Sequence, residues 1–310
     1  RMPAGGWEFG SVKVEPTGKV TVLSGTSPHG QGEETTFAQI AADVLGIPFD
    51  NVTVYHGDTF QVPMGIGTFG SRTTAVGGTA IHNAAMQIKK KMAKIAAHKL
   101  NVKPGELIFS EGKIHTRDGA KSMGFAEVAA EAIFAKQLPE GIEPGLAAHS
   151  FFEPSNYTFP FGAHLAVTEV DAETGEIKLR NYYAVDDCGR VINPMLVDGQ
   201  IHGGLAQGIG QALWESHVYD ENGQLMTGTL MDYAVPKAHQ FPWFETETME
   251  TKTPINPLGA KGVGEAGTIG STPAIVNAVV DALSPLGVRH LDMPLQPEKI
   301  WRVLKQRATA

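Results

Sequence analysis

Apolar residues along the first half of the chain follow two alternating patterns. Short segments rich in β-branched residues, such as KVTVLS at 19–24 and NVTVYH at 51–56, predict strands. Segments with apolar residues three and four positions apart predict helices, and the Pro104-Gly105 pair ends the longest of them. The predicted order is strand 19–24, helix 33–45, strand 51–56, helix 71–100, hairpin 107–116 and helix 125–136.

The second half begins with two long strand patterns that a turn joins. The turn DAETG at 171–175 separates strands predicted at 158–170 and 177–185, which favours an antiparallel pair. The remaining predicted elements are a glycine-dotted helix at 194–214, a hairpin turn at 221–223, and helices at 273–283 and 298–307. Ser271 or Thr272 is the predicted N-cap of helix 273–283.

Together these elements predict an α+β fold in two lobes, with mixed, largely antiparallel sheets and packed helices. Residues 137–156 are rich in proline and glycine and show no clear period, so they are the predicted boundary. The first lobe is predicted at 1–150, and the second, which carries the GAKGVGE loop, at 151–310.

Length and composition narrow the class of protein. A chain of 310 residues is long enough for about two domains. Its 33 acidic and 25 basic residues give a net charge of −8, the wrong sign for a nucleic-acid-binding protein. The single cysteine, Cys188, excludes an intramolecular disulfide and a site with several cysteine ligands. With no apolar run near ~20 residues and no apolar leader, we expect a soluble cytoplasmic protein. The start at Arg1 predicts a processed chain or a piece of a longer one.

Glycine accounts for 36 of the 310 residues, and much of it lies in three loops that each precede a predicted helix. The loops are 29–32 (HGQG), 65–72 (GIGTFGSR) and 259–271 (GAKGVGEAGTIGS). A helix N-terminus leaves backbone N–H groups unpaired and carries a partial positive charge, and glycine lets an anionic or planar ligand reach them. With the donors of Ser71, Arg72 and Lys261, the loops predict a large phosphate-bearing cofactor. The alternative is that glycine only permits tight helix packing.

Individual side chains in these segments are candidates for chemistry. Gln31 and Gln200 offer primary amides that suit the edge of a heterocycle, although a solvated glutamine is the alternative for each. Glu265 lies in the centre of the third loop, where burial beside a cofactor would raise its pKa toward that of a general base. The alternative for Glu265 is an ordinary surface glutamate. Cys188 fits a small buried apolar residue better than a nucleophile.

The segment GVGEAG at 262–267 matches the G-x-G-x-x-G pattern of dinucleotide-binding proteins. That motif must follow a hydrophobic strand, whereas this one follows TPINPL, which contains Pro254 and Pro257. A nicotinamide dehydrogenase is therefore disfavoured. The sequence also contains no P-loop, no nucleophile elbow and no H-E-x-x-H motif.

A set of motifs spread in order over nearly the whole chain resembles one family. The motifs are 30–36 (GQGEETT) with 38–40 (AQI), 67–72 (GTFGSR), 157–162 (YTFPFG), 186–189 (DDCG), 192–194 (INP), 199–204 (GQIHGG) and 259–265 (GAKGVGE). The sequence resembles the C-terminal half of the molybdopterin-binding large subunit of the xanthine oxidase family, and within it the aerobic carbon monoxide dehydrogenase type. The resemblance implies the molybdenum-cofactor-binding domain fold of that family.

The resemblance also implies a site and a reaction. The bound group would be molybdopterin with molybdenum, in its cytosine dinucleotide form. The enzyme would oxidise carbon monoxide, an aldehyde or an N-heterocycle with water as the oxygen source. Glu265 matches the catalytic base of the family, and the resemblance implies no metal ligand among the side chains of this chain. The implied cofactor contacts are Gly30, Gln31, Gly32, Glu33, Thr35, Gly70, Ser71, Arg72, Asp187, Gln200, Lys261, Gly262, Val263 and Gly264.

Other parts of such an enzyme lie outside this sequence. The implied partners are the remaining half of the large subunit and subunits that carry a 2Fe-2S cluster and FAD, with no nucleic acid and no membrane. The copper-binding cysteine of carbon monoxide dehydrogenases belongs to that other half, so Cys188 does not take its role. Glu33 stands where many relatives have histidine. A non-catalytic cofactor-binding or assembly module that lacks the other half of the active site is the alternative function.

Overall fold

The computed structural model describes residues 6–134 and 138–308, with only the backbone of residues 307 and 308. The strands are β1 (Glu8–Val14), β2 (Val20–Ser24), β3 (Val52–Tyr55), β4 (Leu107–Ser110), β5 (Lys113–Thr116), β6 (Ser122–Gly124), β7 (Ala147–Phe152), β8 (Phe161–Val170), β9 (Ile177–Asp187) and β10 (Phe244–Met249). The helices are α1 (Glu33–Leu45), α2 (Thr79–Leu100), α3 (Phe125–Phe134), α4 (Pro194–Leu213), α5 (Ala266–Leu283) and α6 (Pro297–Ala308).

The chain folds into two compact units that do not follow the predicted lobes throughout. Unit 1 comprises Arg1–Phe159, Gly189–Asn193 and Thr251–Gly262, and unit 2 comprises Pro160–Cys188, Pro194–Glu250 and Val263–Ala310. The two later segments of unit 1 pair with each other, through a bridge between Gly189 and Ala260 and a hydrogen bond from Arg190 N–H to the Gly259 carbonyl at 2.9 Å. Composition along the chain does not indicate that these two later segments belong to unit 1, because their place there depends on pairing between segments that are distant in the sequence.

Unit 1 is built on a four-stranded sheet in the order β3-β2-β1-β7, with β2 and β3 parallel and the other pairs antiparallel. A second sheet, β4-β5-β6, is antiparallel. Helices α1 and α2 contribute Phe37, Ile81 and Met92 to a core that they share with Val12 and Val22 of the first sheet. Burial of these apolar side chains is the main stabilising term of the unit.

Unit 2 is built on the three-stranded sheet β10-β9-β8, in which β8 and β9 are antiparallel and β9 and β10 are parallel. Tyr182 of β9, Ile201 and Leu205 of α4, and Ile275 and Val279 of α5 form its core. Five of the seven strand pairs described in the two units are antiparallel. The predicted α+β class with mixed, largely antiparallel sheets and packed helices is confirmed.

Several predicted elements need correction. The helix expected at 71–100 divides into a π-helical turn, Thr73–Gly78, and α2. The expected boundary segment 137–156 contains β7, which pairs with β1. Residues 135 and 136 of the helix expected at 125–136 lie outside the described residues, as does Arg1. Strands β1, β6 and β10 were not predicted.

The start of α5 was predicted seven residues too late. The helix begins at Ala266, and Pro273, taken as the residue that opens the helix, lies inside it. Proline lacks a backbone N–H, so the sequence pattern favours a helix start there. Among the described residues, the stretch Ala266–Leu286 is the one segment whose length and composition would also allow it to cross a membrane, contrary to the sequence expectation. These two properties are weak evidence by themselves, and Ile275, Val279 and Leu283 are buried in the core of unit 2.

Candidate functional site

Two of the three glycine loops meet in unit 1 through threonine hydroxyls. The Thr68 hydroxyl, in the second loop, donates to Glu33 Oε1 at 3.0 Å, directly after the first loop. The same hydroxyl accepts hydrogen bonds from the Ser27 backbone N–H at 3.1 Å and from the Thr73 hydroxyl at 3.0 Å. These bonds hold the start of α1 beside the second loop.

Three glycines of these two loops border open space. Gly30, Gly67 and Gly70 have φ values of +116°, +104° and +56°, and a Cβ at any of them would meet no atom within 4 Å. The left-handed backbone of these turns favours glycine, so packing is not what excludes a side chain there. Gly32, with φ 75°, is the N-cap of α1 and makes no side-chain cap. A ligand can therefore approach the first N–H groups of α1 without meeting a side chain at these positions.

Glu8, which the sequence analysis did not single out, supports the second loop from beneath. Its side chain is fully buried on β1. Oε1 accepts from the Ile66 N–H at 3.3 Å, and Oε2 accepts from the Gly67 N–H at 3.2 Å and from Arg72 Nη1 at 2.7 Å. No sequence pattern identifies such a residue, because a glutamate in a strand ordinarily faces solvent.

The Arg72 guanidinium, predicted to contact a cofactor, is buried and bonded to protein groups. Besides its ion pair with Glu8, Nη1 donates to the Gly67 carbonyl at 2.5 Å and Nη2 donates to the Trp7 carbonyl at 2.6 Å. The guanidinium carbon lies 5.2 Å from the centre of the Phe69 ring. The side chain therefore neutralises Glu8 and shapes the loop, while its contact with a cofactor stays a prediction.

Glu33 is buried at the first position of α1, and one of its two carboxyl oxygens has no hydrogen bond within the part of the chain that the structure describes. Oε1 accepts from Thr68, whereas the buried Oε2 has no hydrogen-bond partner among the described residues. Burial raises the pKa of Glu33, and the hydroxyls of Thr26, Thr68 and Thr73 and the charge of His56 oppose this shift. This buried oxygen keeps the capacity to accept a further hydrogen bond.

The other predicted contacts of the first loop lie close by in the chain. Gln31 is half-buried, and its Oε1 accepts from the His29 N–H at 2.7 Å. Thr35 is half-buried in the first turn of α1. The Gln31 side chain thus stabilises its own loop in this structure, which leaves its amide N–H groups as the donors that could face a ligand.

The first part of the third loop belongs to unit 1 and touches the second loop. A Cβ at Gly262 would lie 2.2 Å from the Ser71 carbonyl oxygen, so glycine is required for this approach. Lys261 is buried, and its Nζ donates to the Thr251 hydroxyl at 2.8 Å. All three glycine loops are therefore linked by contacts within unit 1.

The rest of the third loop belongs to unit 2. Glu265 is exposed and forms the N-cap of α5, with no capping hydrogen bond from its side chain. Val263 is half-buried and Gly264 is exposed. Residues 253–258, which precede this loop, form no strand, so the dinucleotide-binding pattern at 262–267 lacks the context it needs.

Two residues, one at the end of β9 and one in α4, complete the predicted set in unit 2. Asp187 is 2% exposed at the end of β9, and Gln200 is half-buried on α4. Cys188 is buried, in agreement with its prediction as a small core residue, and burial together with the charge of Asp187 raises the pKa of its thiol to about 11. Among the described residues, no group of three or more His, Cys, Asp or Glu side chains could hold a metal ion.

The predicted site residues thus form two sets. Unit 1 holds Gly30, Gln31, Gly32, Glu33, Thr35, Gly70, Ser71, Arg72, Lys261 and Gly262. Unit 2 holds Asp187, Gln200, Val263, Gly264 and Glu265. The sequence analysis missed Glu8 and the threonines around Glu33, which act through residues far away in the chain.

Comparison with known proteins identifies the family. The family model for the molybdopterin cofactor-binding domain matches residues 3–242, and the chain belongs to this family. The large chain of carbon monoxide dehydrogenase from Hydrogenophaga pseudoflava is 44% identical over 300 residues, which cover 96% of this chain and 37% of that protein. The predicted resemblance to large subunits of the xanthine oxidase family is confirmed.

Solved structures agree with the sequence relatives. A Cu,Mo-containing carbon monoxide dehydrogenase matches with a TM-score of 0.92 at 39% identity, covering 97% of this chain and 38% of its own. Quinoline 2-oxidoreductase from Pseudomonas putida 86 matches with a TM-score of 0.92 at 41% identity, with the same coverage. The chain spans less than two fifths of the length of these relatives.

Proposed function

We propose that this chain is the molybdopterin-binding part of a molybdenum hydroxylase or dehydrogenase that oxidises a small substrate with water as the oxygen source. The observation that carries the proposal is the contact of three glycine-rich loops within unit 1, at Thr68 with Glu33 and at Gly262 with Ser71. The names of the relatives support carbon monoxide or an N-heterocycle as the substrate, and an aldehyde is a third candidate.

The residues of unit 1 fit such a ligand. Gly30, Gly67 and Gly70 leave open the places that Cβ atoms would fill, which suits a bulky group with phosphates at a helix N-terminus. The Glu33 carboxyl, whose buried Oε2 has no partner among the described residues, lies at the helix N-terminus that such a ligand would approach. In this proposal the group is the cytosine dinucleotide form of molybdopterin. The remaining predicted contacts in unit 1, and Asp187, Gln200, Val263 and Gly264 in unit 2, are part of the same proposal.

When bound, the molybdenum cofactor supplies the two-electron redox chemistry that amino-acid side chains lack. Oxidation of a substrate C–H bond with water gives C–OH, two protons and two electrons, and oxidation of carbon monoxide gives carbon dioxide with the same yield of both. The carboxylate of Glu265 would accept one of these protons.

The two electrons need an exit that this chain does not provide. Its one cysteine cannot hold an iron–sulfur cluster, so we propose partner subunits that carry a 2Fe-2S cluster and FAD, together with the remaining half of the large subunit. A buried free thiol and the lack of a disulfide suit a reducing, cytoplasmic location.

The test uses the complex assembled from this chain, its partner subunits and the cofactor. We expect Glu265→Gln to lower turnover of carbon monoxide or quinoline by about 10²- to 10⁴-fold, the usual contribution of a general base, with an unchanged molybdenum content per chain. Glu298→Gln, at an exposed carboxylate in the first turn of α6, is the matched control and should leave turnover unchanged.

Two results would contradict the proposal. Full turnover of the Glu265→Gln complex with cofactor bound would refute the role of Glu265 as the base. A stable complex that never contains molybdenum would refute the enzyme proposal and favour a non-catalytic assembly module.

A further inference from the structure

A buried tyrosine–histidine–aspartate arrangement in unit 2 has no role in the proposed chemistry. His164 of β8 places Nδ1 2.9 Å from the Tyr182 hydroxyl and Nε2 3.3 Å from Asp186 Oδ1. The His164 and Asp186 side chains are 5% and 6% exposed, and Tyr182 is fully buried. Solvent and substrates therefore do not reach these groups, and their function must pass through what they contact.

The hydrogen bonds of the imidazole run in one direction. Burial, followed by the charge of Asp186, raises the pKa of Tyr182, so the phenol stays protonated and its O–H group donates a hydrogen bond to Nδ1 of His164. The Nε2–H group of His164 then donates to Asp186 Oδ1. With a partner at each nitrogen, the ring is fixed in both orientation and tautomer.

Two glycines pack so closely against these side chains that a Cβ atom would overlap with them. A Cβ at Gly162 would lie 2.3 Å from Asp186 Oδ1, and a Cβ at Gly270 would lie 2.4 Å from both Nδ1 and Cε1 of His164. Such distances are far below van der Waals contact, so neither position can carry a side chain unless its neighbour moves. Gly270 lies in the second turn of α5, and the imidazole of β8 therefore supports the backbone of that helix.

Helix α4 holds the same two turns of α5. A Cβ at Gly267 would lie 2.5 Å from the Ile201 carbonyl oxygen, and a Cβ at Gly208 would lie 2.0 Å from Ser271 Oγ. Backbone packing at this distance leaves the first turns of α5 little room to shift toward either neighbour.

We propose that His164, held by Tyr182 and Asp186, is a positioning residue for Glu265. The imidazole determines how far the first two turns of α5 lie from β8. It thereby determines the position of the Glu265 carboxylate at the N-cap. Because the Glu265 carbonyl accepts from the Ile269 N–H at 3.0 Å, a shift of Gly270 passes to Glu265 through one helical turn. The inference rests on the proposed function, in which Glu265 is the base.

The first test is Gly270→Ala in the assembled complex, which forces a methyl group against the imidazole. We expect kcat for carbon monoxide or quinoline to fall by about 10- to 100-fold, because small displacements of a reacting group are that costly, with KM and molybdenum content unchanged. His164→Ala removes the ring that supports the helix and should lower kcat over a similar range, with KM and molybdenum content likewise unchanged.

A second measurement needs no activity. Hydrogen exchange of the 310-residue chain, followed on the peptide 264–272, should become about 10-fold faster in both Gly270→Ala and His164→Ala. Val279→Ala, at a fully buried residue further along α5, is the matched control. It should lower thermal stability while leaving both kcat and exchange at 264–272 unchanged.

The outcomes separate the two proposals. If Glu265→Gln keeps its turnover, the proposed function fails whatever Gly270→Ala does. If Glu265→Gln loses turnover while Gly270→Ala keeps kcat and exchange at their original values, the positioning role of His164 is overturned. Unchanged kcat and exchange in His164→Ala overturn it as well.

Discussion

The buried ion pair between Glu8 and Arg72 gives a direct test of how the second glycine loop is held. Glu8→Gln keeps nearly the same shape and still offers one carbonyl oxygen, which can replace the acceptor of either the Ile66 or the Gly67 N–H group. It removes the negative charge, while the Arg72 side chain, 3% exposed, stays cationic. The variant therefore leaves the Arg72 charge unpaired and also replaces one acceptor oxygen by an NH2 group.

The structure sets the size of the effect. Removing one partner of a buried ion pair costs about 3–5 kcal/mol in the free energy of unfolding, because the remaining charge loses its compensation away from water. The pair of Lys13 with Glu15 provides a matched exposed control, with an N···O distance of 2.7 Å and side chains 59% and 40% exposed. For Glu15→Gln we expect a loss of about 0–1 kcal/mol.

Urea unfolding of the 310-residue chain measures both variants, and thermal unfolding gives a second reading. At about 2–4 °C per kcal/mol for a unit of this size, Glu8→Gln should lower Tm by roughly 6–20 °C. The double variant Glu8→Gln/Arg72→Met removes the orphaned charge and should recover part of the loss. If Glu8→Gln and Glu15→Gln differ by less than about 1 kcal/mol, the buried pair does not hold the loop as inferred.

Two further predictions concern buried titratable groups. Burial raises the pKa of Glu33 above its ordinary value of 4.5, so the folded state favours the protonated carboxyl. The folded state is therefore most stable, as far as Glu33 is concerned, below pH 4.5, and this stability is lost as the pH rises through the pKa of the folded state. Glu33→Gln should therefore be nearly neutral at about pH 4 and progressively more stabilising toward about pH 8 in urea unfolding; a difference that does not grow with pH contradicts this. The thiol of Cys188, with its pKa raised to about 11 from 9.0, should react with iodoacetamide at about pH 8 roughly 100-fold more slowly in the folded chain than in the unfolded chain. Equal rates in the two states would show that the thiol is accessible and ionised.

Local pattern was enough to predict some of the elements that carry the site. Helix α1 has the predicted bounds, since its apolar spacing and the flanking glycines Gly32 and Gly46 are local signals. The β8–β9 pair follows from two long alternating strands and the turn at 171–175. Each of these signals lies within a few residues of the element that it specifies.

Strand β1 shows what local pattern cannot carry. It lies between β2 and β7 in the first sheet, yet its first residue is Glu8, which is fully buried. The burial is possible because Arg72, 64 residues further along the chain, neutralises the carboxylate. A strand with an inward-facing acid has no signature in its own sequence. Both the element and its functional consequence for the second loop were therefore missed.

The glycine loops illustrate why one residue type supports two different interpretations. At Gly30 and Gly67 the backbone is left-handed and the surrounding space is open, as expected for turns that admit a ligand. At Gly262, Gly267 and Gly270 an added Cβ would meet a neighbouring carbonyl oxygen or ring within 2.5 Å, as expected for close packing. The G-x-G-x-x-G match at 262–267 thus has a physical origin other than phosphate binding: its outer glycines are demanded by Ser71 and by Ile201. Sequence alone cannot distinguish a glycine that admits a ligand from a glycine that permits close packing, because the residue is the same in both cases. The two are distinguished by whether the space where a Cβ atom would lie is empty or is filled by neighbouring atoms.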